Sequence, residues 1–216
     1  YFQTDTENKS SVSFKDYIEL LKNNKPVKML MIVAASNRFA AMVYGNATVI
    51  VMLYGILMDN YPLAGILGII IGFPNLGIIF LGITYARHVG QKKALVVVTA
   101  LAIGFQLVFM CMMLFTDLTK VSITRINWIT IAFLVLSAIL GGCKSITNNL
   151  VVPMIADCTD YEYLRSGKFV PGIMGALFSF VDKGLSSLGT SFVGIVLSFF
   201  GYARVFPQVG DELTGT

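Results

Sequence analysis

Apolar positions gather along this chain into blocks too long for the core of a soluble domain. Five runs, at about residues 27–58, 61–85, 94–115, 127–155 and 170–202, each exceed the ~20 residues a helix needs to cross a bilayer. The pattern predicts an all-α integral membrane fold. The first run would measure about 48 Å at ~1.5 Å per residue, so it must tilt, bend or project beyond the lipid. Asp59-Asn60-Tyr61-Pro62 is a turn short enough to leave only an antiparallel hairpin.

Ahead of these runs, SFKDYIELLK (residues 13–22) has helical periodicity. Phe14, Tyr17, Ile18 and Leu21 fall on one face, and Lys15, Asp16, Glu19 and Lys22 on the other. Ser13 with Asp16 resembles a capping box, Asn23-Asn24 break the pattern, and Pro26 starts a new helix. This predicts a short helix lying on the cytoplasmic membrane surface. Tyr1-Phe2-Gln3 looks like the end of a protease-cleavage tag and is set aside. Residues 204–216 form a polar tail too hydrophilic to span.

Composition sharpens the class. The chain is 56% hydrophobic and 13% charged, against about 25% charged in soluble domains. Twenty glycines suit close helix packing in lipid. The net charge of +4 is not clustered in a way that suits nucleic acid, so none is expected as a partner. Cys111, Cys143 and Cys158 lie in or beside apolar runs and read as free thiols. No C-x-x-C or His pair suggests a metal, no cofactor is expected, and the lone His88 sits among basic residues. The spans hold no nucleophile–base pair and no paired carboxylates, so the reading is not an enzyme.

Basic residues set the expected orientation. Ten of them (Lys9, Lys15, Lys22, Lys25, Lys28, Arg87, Lys92, Lys93, Arg165, Lys168) fall on the side of the amino end. Three (Lys120, Arg125, Arg204) fall on the other. The positive-inside rule then puts the amino end in the cytoplasm and the tail outside, in a multi-pass cell-membrane protein.

The remaining basic residues, Arg38, Lys144 and Lys183, lie within the spans, as does Asp182. Each charge near a span centre costs about 2.5–3.5 kcal/mol, so an adjacent Asp182-Lys183 pair demands partners or a wet cavity. Counted from the cytoplasmic ends, Arg38, Lys144 and Asp182 all lie about 17–20 Å deep at ~1.5 Å per residue. They therefore share one layer near the midplane, where secondary transporters bind substrate. Lys183, Arg38 and Lys144 are expected to line a central cavity, with Asp182 as counter-ion to one of them. Buried ion pairs that merely lock helices are the alternative. Asn148 shares the Lys144 face. Gly141-Gly142 permit bending or close approach. Asn37, Asn46, Asn75 and Gln106 read as interhelical hydrogen-bonding groups. Trp128 reads as an interfacial anchor, and Phe178, Phe180 and Phe192 as a packing or lipid-facing stripe.

Three motifs carry a resemblance. Asp157-Cys-Thr-Asp-Tyr-Glu-Tyr-Leu-Arg-Ser-Gly-Lys-Phe resembles the D-x-x-D-Y…G-K/R loop between the tenth and eleventh helices of the glycoside–pentoside–hexuronide cation symporters. Phe178-Ser-Phe-Val-Asp-Lys-Gly is similar to their eleventh helix, where a lysine often precedes a glycine. Arg87-His-Val-Gly-Gln-Lys-Lys resembles the loop after their eighth helix. At Arg87 the superfamily loop usually has an acid, which puts an acid-based latch there in doubt.

The resemblance implies a major facilitator half-bundle, helices seven to eleven of twelve, with residues 4–26 as the central cytoplasmic loop and 27–203 as the five-helix body. It implies the carboxyl-terminal half of a sodium- or proton-coupled transporter for sugars, glycosides or hexuronides. The coupling cation would bind mainly on an amino-terminal six-helix half outside this chain. Asp157, Asp160, Arg165, Lys168 and Arg87 would then make gating contacts on the cytoplasmic side. A lysophospholipid transporter of the same branch, or a self-associating membrane half-bundle, are the alternatives.

Overall fold

The computed structural model describes residues 14–123, 125–167 and 171–199, and among these the ordered elements are all helical. Helix α1 (Phe14–Asn23) leads into α2 (Lys25–Tyr44) through Asn24, whose side-chain oxygen accepts from the Val27 N–H at 3.0 Å and caps α2, with Pro26 in its first turn. A short α3 (Ala47–Ile50) continues as a π-helical segment, Val51–Leu57. Then come α4 (Leu63–Val89), α5 (Gln91–Phe115), a 3-10 turn at Leu118–Lys120, α6 (Trp128–Ser166) and α7 (Pro171–Phe199). Helices α2, α4, α5, α6 and α7 are each long and apolar enough to cross a membrane.

Three apolar clusters hold the bundle. One joins α1, the start of α2, the end of α6 and the start of α7 through Leu20, Val27, Val151, Cys158 and Met174. A second, at the opposite end, unites Met58, Leu67, Phe109, Leu118 and Phe133. The third packs Ala86, Ala94, Cys143 and Ile146 between α4, α5 and α6. Helix α6 is central, touching α4 and α5 on one flank and α2 on the other, with a lighter contact to α7. Glycines let α6 approach α4 closely. A Cβ built on Gly142 would stand 2.8 Å from Ile78 Cβ, and one on Gly141 only 2.6 Å from Asn75 Nδ2. The outer faces of α4 and α5 expose Phe73, Leu76, Phe80, Leu81, Leu114 and Phe115, as lipid-facing surfaces do.

Several expectations need correction. The first apolar run is not one continuous helix. Gly45 ends α2, its N–H reaching Ala41 O at 3.0 Å, and extended Asn46 restarts the chain by accepting from Thr48 N–H at 2.9 Å. Hydropathy is blind to this break, because a single Asn is averaged away among apolar neighbours while Gly-Asn carries turn chemistry. Asn46 is therefore a helix cap and not an interhelical group. Beyond it, the Met58 N–H bonds back to Leu53 O at 3.1 Å, the five-residue step of a π-helix.

The charged segment read as a loop after residue 155 is helical as far as Ser166. Thr159 and Ser166 hydroxyls donate to carbonyls four residues back, at Ile155 and Glu162, and Glu162 pairs with Arg165 one turn on. The helix stops only at Gly167, which takes the left-handed conformation (φ 72°) that caps helix ends. The basic loop around Arg87 likewise shrinks to Gly90 (φ 89°), with Arg87 and His88 in the last turn of α4 and Lys92 and Lys93 in the first turn of α5.

Of the groups expected to hydrogen-bond between helices, Asn75 abuts α6 at Gly141 but its Oδ1 is buried without a hydrogen-bond partner, and Gln106 is exposed. Trp128 opens α6 and is exposed. The aromatic stripe divides. Phe178 is buried, Phe180 is exposed, and Phe192 meets Phe39 edge-on with centroids 5.3 Å apart. Cys143 and Cys158 are buried free thiols, and Cys111 is exposed. In the 3-10 connector, the Thr119 hydroxyl and N–H bond the Asp117 carboxylate and hold it below the ordinary carboxylate range. Ser13 and Lys168 lie outside the described residues.

Candidate functional site

Helices α2 and α7 pack along each other, and their seam carries the charges. Arg38 Nε lies 3.0 Å from Asp182 Oδ1 and donates to Ser186 Oγ at 2.7 Å. The Ser186 hydroxyl in turn donates to the Asp182 carbonyl at 2.6 Å, one turn back on α7. Position follows from sequence: Asp182 and Ser186 are four residues apart and so share a helix face. One turn further, Gly189 lets Met42 sit against the α7 backbone, where an added Cβ would come within 2.6 Å of Met42 Cβ. The pair is open: the Arg38 and Asp182 side chains are 39% and 51% exposed. The terminal guanidinium nitrogens of Arg38 make no hydrogen bond among the described residues, which leaves donors to spare.

Lys144 meets a different partner. Its ammonium lies over the Tyr44 ring, 5.2 Å from the centroid, bridging α6 to the end of α2. Asn148, one turn along α6, is exposed. Lys183 is exposed and makes no ion pair among the described residues. The structure thus joins Arg38 to Asp182, gives Lys144 an aromatic neighbour, and leaves Lys183 open.

Around these charges α7 turns a polar half outward. Ser179, Asp182, Lys183, Ser187, Thr190 and Ser191 are all exposed, although the helix is apolar enough to span. At 3.6 residues per turn they fall within one half of the helix circumference. Thr190 and Ser191 satisfy their hydroxyls on carbonyls four residues back, at Ser186 and Ser187, which lipid would tolerate. Asp182 and Lys183 have no such local remedy. From Met31 through Tyr54 no residue is fully buried, and Ile32, Ser36, Ala40 and Tyr44 form an exposed stripe along α2.

The residues expected to gate lie at the α1 end. Asp157 and Asp160 are exposed on α6, and Arg87 is exposed on α4. Arg165 instead clamps Glu162, with Nη2 to Oε1 at 2.7 Å and Nε to Oε2 at 3.1 Å. The buried Asn24 donates to the same Glu162 Oε2 at 2.7 Å, so the start of α2 is tied to the end of α6. The sequence does not single out Asn24, Ser186 or Tyr44 as site residues, while Glu162 belongs to the mixed-charge segment expected to gate. Two signals were present: the i, i+4 spacing of Ser186 from Asp182, and Asn24 ahead of Lys25-Pro26. Among the described residues no cluster of His, Cys, Asp or Glu could hold a metal ion.

Five lipid-length helices, one of them turning a charged, hydroxyl-rich face away from the core, describe a multi-pass membrane bundle. The sequence profile of the MFS/sugar transport protein family matches residues 2–214, and the chain belongs to that family. No curated protein and no solved structure matches it.

Proposed function

We propose that this bundle is the carboxyl-terminal half of a cation-coupled transporter for sugars or glycosides, working by alternating access around a cavity lined by Lys183, Asp182, Arg38, Lys144 and Asn148. The observation that carries this reading is the exposed polar half of α7 centred on Asp182-Lys183. A spanning helix keeps such a face only where water, substrate or a complementary protein surface meets it. Three bases against one acid leave two positive charges uncompensated on this flank. Acids from an amino-terminal half, which would also hold the sodium ion or proton, supply the balance in this reading. The hydroxyls of Ser179, Ser187 and Asn148 amide groups suit the donor-and-acceptor pattern of a sugar.

The test is uptake of radiolabelled glycosides by the full-length protein in sealed vesicles, with and without a sodium or proton gradient. Lys183→Ala should lower uptake at least about tenfold, the effect of losing roughly 1.4 kcal/mol of binding, with folded yield unchanged. Collapse of folded yield would mark Lys183 as a structural lock. Full uptake would remove the residue from the cavity.

A further inference from the structure

At the α1 end of the bundle lies a groove of about 470 Å³, walled on one side by Tyr17, Ile18 and Leu21 and on the other by Ala176, Leu177 and Phe180. Its size falls within the range of about 300–1,000 Å³ typical of ligand clefts. Helix α1 forms one wall of it and α7 the other. Leu20 is buried in the core while Ile18, on the outer flank, is 52% exposed, and across the groove Phe180 is 77% exposed. Apart from the Tyr17 hydroxyl, the six walls are hydrocarbon. Such a trough is unfavourable in water and well matched to a single alkyl chain.

Its rim is basic. Lys22, at the edge of the polar face of α1, follows Ile18 by one turn, Lys25 opens α2, and Lys28 Nζ donates to the Lys22 carbonyl at 3.3 Å, so three lysines lie around the α1–α2 turn. None of the three forms an ion pair among the described residues, although Glu19 lies only three positions before Lys22. An amphipathic helix beside spanning helices sits at the level where lipid tails meet head groups. Hydrocarbon trough and unpaired cationic rim therefore coincide at the interface.

We propose that this groove seats one acyl chain of an anionic phospholipid, whose phosphate is held by Lys22 and Lys25. The lipid wedges between α1 and α7 and fixes the in-plane helix against the bundle. This assignment depends on the membrane fold alone and stands whatever substrate is carried.

The test uses full-length protein in phosphatidylcholine vesicles doped with photoactivatable phosphatidylglycerol or, separately, photoactivatable phosphatidylcholine, each with the reactive group on the acyl chain. Adducts are mapped by mass spectrometry. Phosphatidylglycerol should label Ile18, Leu21 and Phe180 peptides well above phosphatidylcholine, and Lys22→Gln or Lys25→Gln should each lower that preference about fivefold, as expected for one basic residue at an anionic surface. Ala176→Trp, which fills the trough, should abolish labelling there while the outer faces of α4 and α5 stay labelled. Equal labelling by both lipids, or no response to the lysine changes, would reduce the groove to ordinary lipid contact and overturn the proposal. Labelling of α4 and α5 without any at the groove would show that another protein segment covers it, and would overturn it equally.

Discussion

Helix α2 is tied to its neighbours by two acid–arginine arrangements that differ in every respect except chemistry. Near its start, Glu162 is buried and saturated: Asn24 and both faces of the Arg165 fork take up its two oxygens. Midway, Arg38 and Asp182 are more than a third exposed, the one Arg38 Nε meets both the Asp182 carboxylate and Ser186 Oγ, and most donors of the guanidinium stay unused. A buried charge survives only when its hydrogen bonds are complete, whereas an exposed one gains little from pairing in water. The first arrangement is spent on structure. The second keeps unused hydrogen-bonding capacity, and in the function proposed above a transported solute or an opposing half takes it up.

That contrast can be broken at several points. If close packing and not the ion pair holds α2 to α7, Gly189→Leu should be the most damaging change, because Met42 Cβ and the Phe39 carbonyl leave no room for a side chain. A loss of about 3 kcal/mol, read from thermal unfolding in detergent, is expected from such overpacking. Glu162→Ala comes next. It strands the fully buried Asn24 amide, and about 1–3 kcal/mol should be lost in the same assay. Glu162→Gln, which keeps an acceptor, should recover part of it. Tyr44→Leu removes the ring beneath Lys144 and should cost about 0.5–1 kcal/mol. Smallest of all, a double-mutant cycle on Arg38→Ala and Asp182→Ala should give a coupling below about 1 kcal/mol, since both groups are more than a third exposed. A coupling of several kcal/mol would erase the distinction drawn above.

The spans were legible because bilayer thickness imposes a length that composition cannot disguise. The charged layer was legible too, since Arg38, Lys144, Asp182 and Lys183 interrupt runs that are otherwise apolar. Three-dimensional pairing was not. Nothing in hydropathy says that Arg38 chooses Asp182 while Lys144 turns to Tyr44, because that depends on which helix faces meet. The break at Gly45-Asn46 was written in capping chemistry and hidden by its apolar surroundings. The helical extension to Ser166 was obscured for the opposite reason: its charges suggested solvent and a loop, while their i, i+3 and i, i+4 spacing supports a helix.

The length of α6 has a mechanical consequence. Its 39 residues measure about 58 Å, nearly twice the roughly 30 Å of bilayer hydrocarbon. Glu162 rides about 51 Å from the Trp128 end, beyond Pro153, where the backbone lacks a donor and bending is cheapest. A swing of roughly 10° about one end would carry the other through about 10 Å on this rod. On a helix of this length a small tilt at one end is a large displacement at the other, and the Glu162–Asn24 tie joins that far end to α2.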